Sequence, residues 1–132
     1  MITPRTKSNS NTNSIRVHRR SSAALKLLIL LLCALTLLAQ GFRSARQYDD
    51  HYQKHGHEFG KITKQQYLKF AQELRDAPKS SEILESVRTD GVITRFHKKK
   101  GWFLAFNKDR TIRTFFIPND GERYFHRQAK RN

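Results

Sequence analysis

The chain has 132 residues, with 26 Lys+Arg against 11 Asp+Glu and a formal net charge of +15. That length allows one modest domain, and the charge suits a polyanionic partner: RNA, DNA or an anionic membrane. Cys33 is the sole cysteine, which excludes an internal disulfide and a zinc–thiolate site and leaves the chain beyond it without a thiol nucleophile.

Residues 1–22 are polar, basic and rich in Ser, Asn and Thr, too poor in apolar surface to fold. Leu27 to Ala39 is apolar except for Thr36. About thirteen residues fall short of the roughly 20 needed to span a bilayer, and match a signal-peptide core behind a positive segment. Ala39-Gln40-Gly41 places small residues for cleavage after Gly41. Export to a periplasmic or secreted location is therefore expected. The alternative is an uncleaved single-pass inner-membrane anchor over residues 23–41, with Lys26 snorkelling. The first 41 residues hold six basic residues (Arg5, Lys7, Arg16, Arg19, Arg20, Lys26) and no acid. This leaves 20 basic and 11 acidic residues beyond, a net charge of +9 on residues 42–132.

Residues 43–58 read as a helix, with Tyr48, Tyr52, His55 and Phe59 on one face and Gly60 as its stop. Thr63-Lys64-Gln65-Gln66 is a capping box opening a second helix over 64–76, with Tyr67, Leu68, Phe70, Ala71 and Leu74 as its apolar face. Pro78 ends it. From Ser81 the period becomes two. Residues 83–88 form a first strand or a third short helix. Asp90-Gly91 signals a hairpin turn. Val92 to His97, Trp102 to Phe106 and Thr111 to Ile117 follow as strands, and Glu122 to Lys130 as a short terminal helix with Tyr124, Phe125 and Gln128 inward. The order predicts an α+β fold with its helices on one face of the sheet: two N-terminal helices packed on a four-stranded antiparallel meander, then a short C-terminal helix. No internal repeat, P-loop, Gly-rich dinucleotide turn or His/Glu zinc spacing is present, so no metal or cofactor is expected.

The chemistry concentrates in Tyr48 to Gly60. His51, Lys54, His55 and His57 fall within seven positions, and imidazoles both give and take protons near neutral pH. Cleavage of RNA by its own 2′-hydroxyl needs a base, an acid and cationic donors for the phosphorane charge, without a metal. His55 is the candidate acid–base residue. Lys54, Arg113, Thr114 and Arg95 are candidate charge stabilisers; Arg113 and Thr114 are adjacent on one strand, so only one of them can face a given site. Lys98, Lys99 and Lys100 are candidate phosphate contacts, and Trp102 and Tyr124 candidate base-stacking rings. His51, His57, His97 and His126 read as ordinary surface histidines.

Gln53-Lys54-His55-Gly56-His57-Glu58-Phe59-Gly60, followed by the Thr-capped helix, resembles the Lys-His-x-x-x-Phe-Gly segment opening the toxic domain of colicin D. More broadly it is similar to the barnase–EndoU–colicin–RelE group of small ribonucleases found in bacterial polymorphic toxins. Thr111 to Pro118, then Tyr124-Phe125 and Gln128, resembles the last strand and closing helix of related toxin domains. The resemblance implies metal-free RNA cleavage, often of tRNA, by a monomer without cofactors. It places His55 on the catalytic histidine, Lys54 on the preceding lysine and Thr114 near a hydroxyl residue of the last strand. It also implies an acidic immunity protein as partner. The alternative is a non-catalytic basic module that binds nucleic acid or sits at the envelope.

Overall fold

In a computed structural model of the chain, residues 21–39 and 41–131 are described. The polar stretch expected over residues 1–22 lies outside them except for Ser21 and Ser22, and so does Gln40 of the expected cleavage motif. Helix α1, Ser21–Ala39, contains the apolar run, and its Leu25 and Leu27 to Leu32 side chains are exposed. Among the described residues no helix is long and apolar enough to cross a membrane. The chain divides within this helix, after Cys33, into two units.

The second unit is α+β. Helix α2 runs Ala45–His55, opened by Ser44, whose hydroxyl accepts from the Gln47 N–H. It ends earlier than the periodicity predicts: Gly56–Phe59 tightens into a 3-10 turn. Gly56 lies so close over Tyr52 that a Cβ there would meet the ring at 2.6 Å, and Gly60, at φ 89°, redirects the chain. The tyrosines of this face fasten the turn, with Tyr52 Oη donating to the Ile62 carbonyl (2.7 Å) and Tyr48 Oη to that of Lys64. Helix α3, Lys64–Asp76, carries the capping box formed by Thr63 and Gln66 and ends at Ala77, extended ahead of Pro78.

Strands β1 (Ile83–Val87), β2 (Ile93–His97), β3 (Trp102–Phe106) and β4 (Ile112–Phe116) form one antiparallel sheet in chain order. Residues 83–87, open between strand and helix in the sequence, are a strand. Helix α4 is Glu122–Ala129.

The helices do not share one face of the sheet as expected. Tyr67, Ala71 and Leu74 of α3 pack with Leu104, Phe106, Ile112 and Phe115 on one side. Phe125 of α4 packs with Val92, Phe96, Phe103 and Ala105 on the other. The cause lies in β3: Trp-Phe-Leu-Ala-Phe is apolar at every position, and a strand apolar on both faces requires cover on both. Strand β4 meets the same demand with a bulge. Ala105 pairs with Thr114 and Phe106 with Ile112, so Arg113 has no partner in the register. The extra residue lets Ile112 enter the first core while Thr114 faces the second side.

Candidate active site

Strand β4 is an edge, and an open edge invites foreign strands. Here the segment leading into α2 covers it. Phe42 bridges Ile112, the Ile112 N–H donates to the Gly41 carbonyl (2.9 Å), and Gln47 Nε2 donates to the Arg113 carbonyl (3.4 Å). Further along, Tyr67 Oη donates to the Phe115 carbonyl and the Ile117 N–H to Glu58 Oε2 (2.7 Å). Helix α2 therefore runs beside β4, with α4 beyond. An open cavity of about 560 Å³ lies there, lined by Asp50, His51, Lys54 and His55 of α2, Thr114 and Phe116 of β4, and Tyr124 of α4.

His55 is the last residue of α2, and its Nδ1 lies 2.8 Å from Glu58 Oε1. The other Glu58 oxygen accepts the Ile117 N–H. The carboxylate is thus tied at both oxygens and bridges the 3-10 turn to the end of β4. Because an ionised carboxylate only accepts, the ring donates from Nδ1 and Nε2 is left to exchange protons. The His55 side chain is 15% exposed, enough to meet a ligand while its orientation is held. Its ring stands 5.2 Å from Phe116 and 5.9 Å from His51.

His51, expected from the sequence to be an ordinary surface histidine, is instead half-buried in the cavity wall, and Glu58 was not singled out in the sequence. His51 is sandwiched between Phe42 (5.0 Å) and His55, and its Nδ1 is buried without a hydrogen-bond partner. Burial pushes its pKa below the ordinary 6.5, and the neighbouring His55 and Lys54 push the same way against Asp50. A histidine depressed on folding stabilises the fold fully above pH 6.5 and loses that contribution as pH falls through its folded value. We expect thermal melts of wild type to lose stability between pH 7 and pH 5, and His51→Leu to flatten that slope. An unchanged slope in the variant would assign the acid sensitivity elsewhere, for instance to His97, which burial also depresses. The signal for Glu58 was its position three residues after His55, the spacing at which side chains on one helical turn meet.

The remaining candidates divide. Lys54 is exposed at the cavity and forms no ion pair among the described residues. Thr114 and Tyr124 line the same cavity. Arg113 does not: the bulge sends it to a separate recess. Arg95, proposed for RNA contact, is instead 8% exposed and committed internally, because the apolar pattern of β2 turns it toward α3. It pairs with Glu85 (2.7 Å) and donates to the carbonyls of Leu74 (3.0 Å) and Ala77. Trp102 is half-buried, stacked on Phe70 (5.0 Å) and edge-on to Phe59 (5.6 Å), with Lys100 Nζ 4.3 Å over its ring. It stands on the α3 side of the sheet, away from the cavity. Lys98, Lys99 and Lys100 form the exposed β2–β3 turn, and Lys99 pairs with Glu82 at 2.5 Å. Among the described residues no group of three His, Cys, Asp or Glu side chains is arranged to hold a metal ion.

Comparison with known protein families and with curated proteins found no match for the chain. The cavity offers two imidazoles, that of His55 oriented by Glu58, the Lys54 ammonium, the Asp50 carboxylate, a hydroxyl and two aromatic faces. That set can shift a proton, bind an anionic oxygen and flank a planar base.

Proposed function

We propose that residues 42–132 are a toxin-like endoribonuclease that cleaves RNA, tRNA included, by 2′-hydroxyl attack without a metal, the apolar leader serving its export. The observation that carries this reading is the convergence of Glu58-held His55 with Lys54 and Thr114 on one cavity. His55 Nε2 takes the 2′-hydroxyl proton as the O2′–phosphorus bond forms. Lys54 and Thr114 hold the negative oxygens of the phosphorane. The phosphorus–O5′ bond breaks, and the imidazolium returns its proton to the leaving oxygen by way of a phosphorane oxygen. The products are a 2′,3′-cyclic phosphate and a 5′-hydroxyl. Tyr124 and Phe116 offer rings against which an unpaired base can rest. The resemblance to colicin D-type toxins supports the same chemistry and an acidic immunity partner for this basic cleft.

Incubating the full chain with total RNA in the presence of a chelator, with end-group analysis of the fragments, tests the proposal. We expect cyclic phosphate and 5′-hydroxyl ends. Intact RNA, bound with a steep dependence on salt, would instead identify a non-catalytic basic module.

A further inference from the structure

Beside the His55 cavity lies a smaller recess of about 220 Å³, lined by Arg43, Gln47, Asn107, Thr111, Ile112 and Arg113. No carboxylate lines it. Arg113 reaches it because the β4 bulge frees this residue from the alternation of the strand, and its Nη1 lies 3.4 Å from Asn107 Oδ1. Arg43 and Arg113 are both exposed, and neither has an acidic partner among the described residues. Arg75, Arg88, Arg95, Arg110 and Arg127 pair with carboxylates; Arg46, Arg123 and Arg131, like Arg43 and Arg113, have no such pair among the described residues, but only Arg43 and Arg113 line one recess together. Two guanidiniums left without counter-charge at one recess repel each other unless an anion joins them. The first turn of α2 adjoins Arg43 and contains no acid, so its N–H groups add to the positive field rather than offset it.

The recess and the cavity share the same two walls. On α2, Gln47 and Lys54 are seven residues apart, about 10 Å along the axis. On β4, Arg113 and Thr114 are adjacent. The two depressions are therefore neighbours along these walls, the recess carrying two guanidiniums and the cavity the imidazole. We infer that the recess is a phosphate subsite, in which Arg43 and Arg113 clamp a backbone phosphate of the same single RNA strand whose scissile phosphate sits at His55. This rests on the ribonuclease reading. Guanidinium forks suit it because each can present two N–H donors to two phosphate oxygens. Asn107, whose Oδ1 faces Arg113, keeps its amide N–H2 as a further donor. Arg113 thus serves the strand beyond the reacting bond rather than the bond itself, and it holds RNA in register along these walls.

The test uses the full chain with His55→Ala, so that bound RNA survives, and a fluorescent single-stranded RNA of roughly 10 nucleotides, titrated across a salt series. Arg43→Gln/Arg113→Gln is expected to weaken binding by about tenfold or more and to make the log Kd–log salt slope shallower by about 0.7, the counterion release of the one phosphate they clamp. Arg43→Lys/Arg113→Lys should keep the slope and lose part of the affinity, since an ammonium lacks the fork. Both pairs replace exposed side chains, and a melting curve like that of the parent checks that they fold. Unchanged affinity and slope in a folded Gln/Gln variant would overturn the subsite. The two readings fail separately. If wild type leaves no cyclic-phosphate ends but Gln/Gln still loses binding, the subsite stands and the nuclease falls. If wild type cleaves and Gln/Gln on the otherwise native chain keeps its KM, the nuclease stands and the subsite falls.

Discussion

His55→Ala is expected to lower the cleavage rate by about 10²–10⁴-fold, the range for removing a positioned acid–base group. The loss should fall on kcat, because the ring moves a proton and does not supply the charge that binds the strand. Lys54, Thr114, Arg43 and Arg113 remain, so KM should change little. The fold should survive: the ring lies against Phe116 and the cavity rather than in either core. Glu58→Gln gives a useful contrast. An amide has one acceptor oxygen: with it on the Ile117 N–H, its N–H2 donates to Nδ1 and shifts the ring proton to Nε2, the tautomer that cannot act as the base, so a clear loss of rate is expected. Single-turnover cleavage of a labelled RNA with each purified variant, alongside circular dichroism, gives both answers. Wild-type kinetics in His55→Ala would remove this residue from the chemistry.

A loss of stability of about 3–5 kcal/mol is expected for Arg95→Ala, the cost of removing one partner from a buried ion pair. The guanidinium is shared among the Glu85 carboxylate and the carbonyls of Leu74 and Ala77, which close the C-terminal end of α3 onto β2. Without it, Glu85 keeps only Lys79, whose side chain is 74% exposed and whose attraction is screened by solvent. Small domains hold about 5–15 kcal/mol in total, so the variant should sit near its unfolding midpoint even in mild denaturant. Urea titration measures this directly. A normal midpoint with weakened RNA affinity would return Arg95 to the binding surface. The opposite pattern, for Lys98→Ala in the exposed turn, is a midpoint within about 0.5 kcal/mol of wild type.

The elements were legible where the local chemistry was emphatic. Thr63 and Gln66 announced the start of α3, Pro78 its end, and Asp90-Gly91 the first hairpin. Layering was harder, although β3 carried the clue: five apolar residues in a row cannot have a wet side. Reading that run as one strand among four hid the need for α4 to cross to the other face. The bulge at Arg113 was not readable, because it follows from the competing burial of Ile112 and Thr114 against β3, a matter of register rather than of residue type. Arg95 looked like a surface cation because nothing local shows that Glu85 and two helix-end carbonyls converge on it. At the site, His55, Lys54, Thr114 and Tyr124 come from three separate elements and meet at one cavity. Glu58 stood inside the motif unnoticed, and His51 needed the ring of Phe42, far off in any helical-wheel view, to become part of the same wall.

Glu58 joins the imidazole to the backbone at Ile117, and this has a kinetic corollary. The end of β4 is a terminus of the sheet, where local opening occurs more readily than global unfolding. Each time that terminus frays, the carboxylate loses its second anchor and the ring is free to rotate. Catalytic competence would then follow a sub-global equilibrium, fading on warming before the protein as a whole melts.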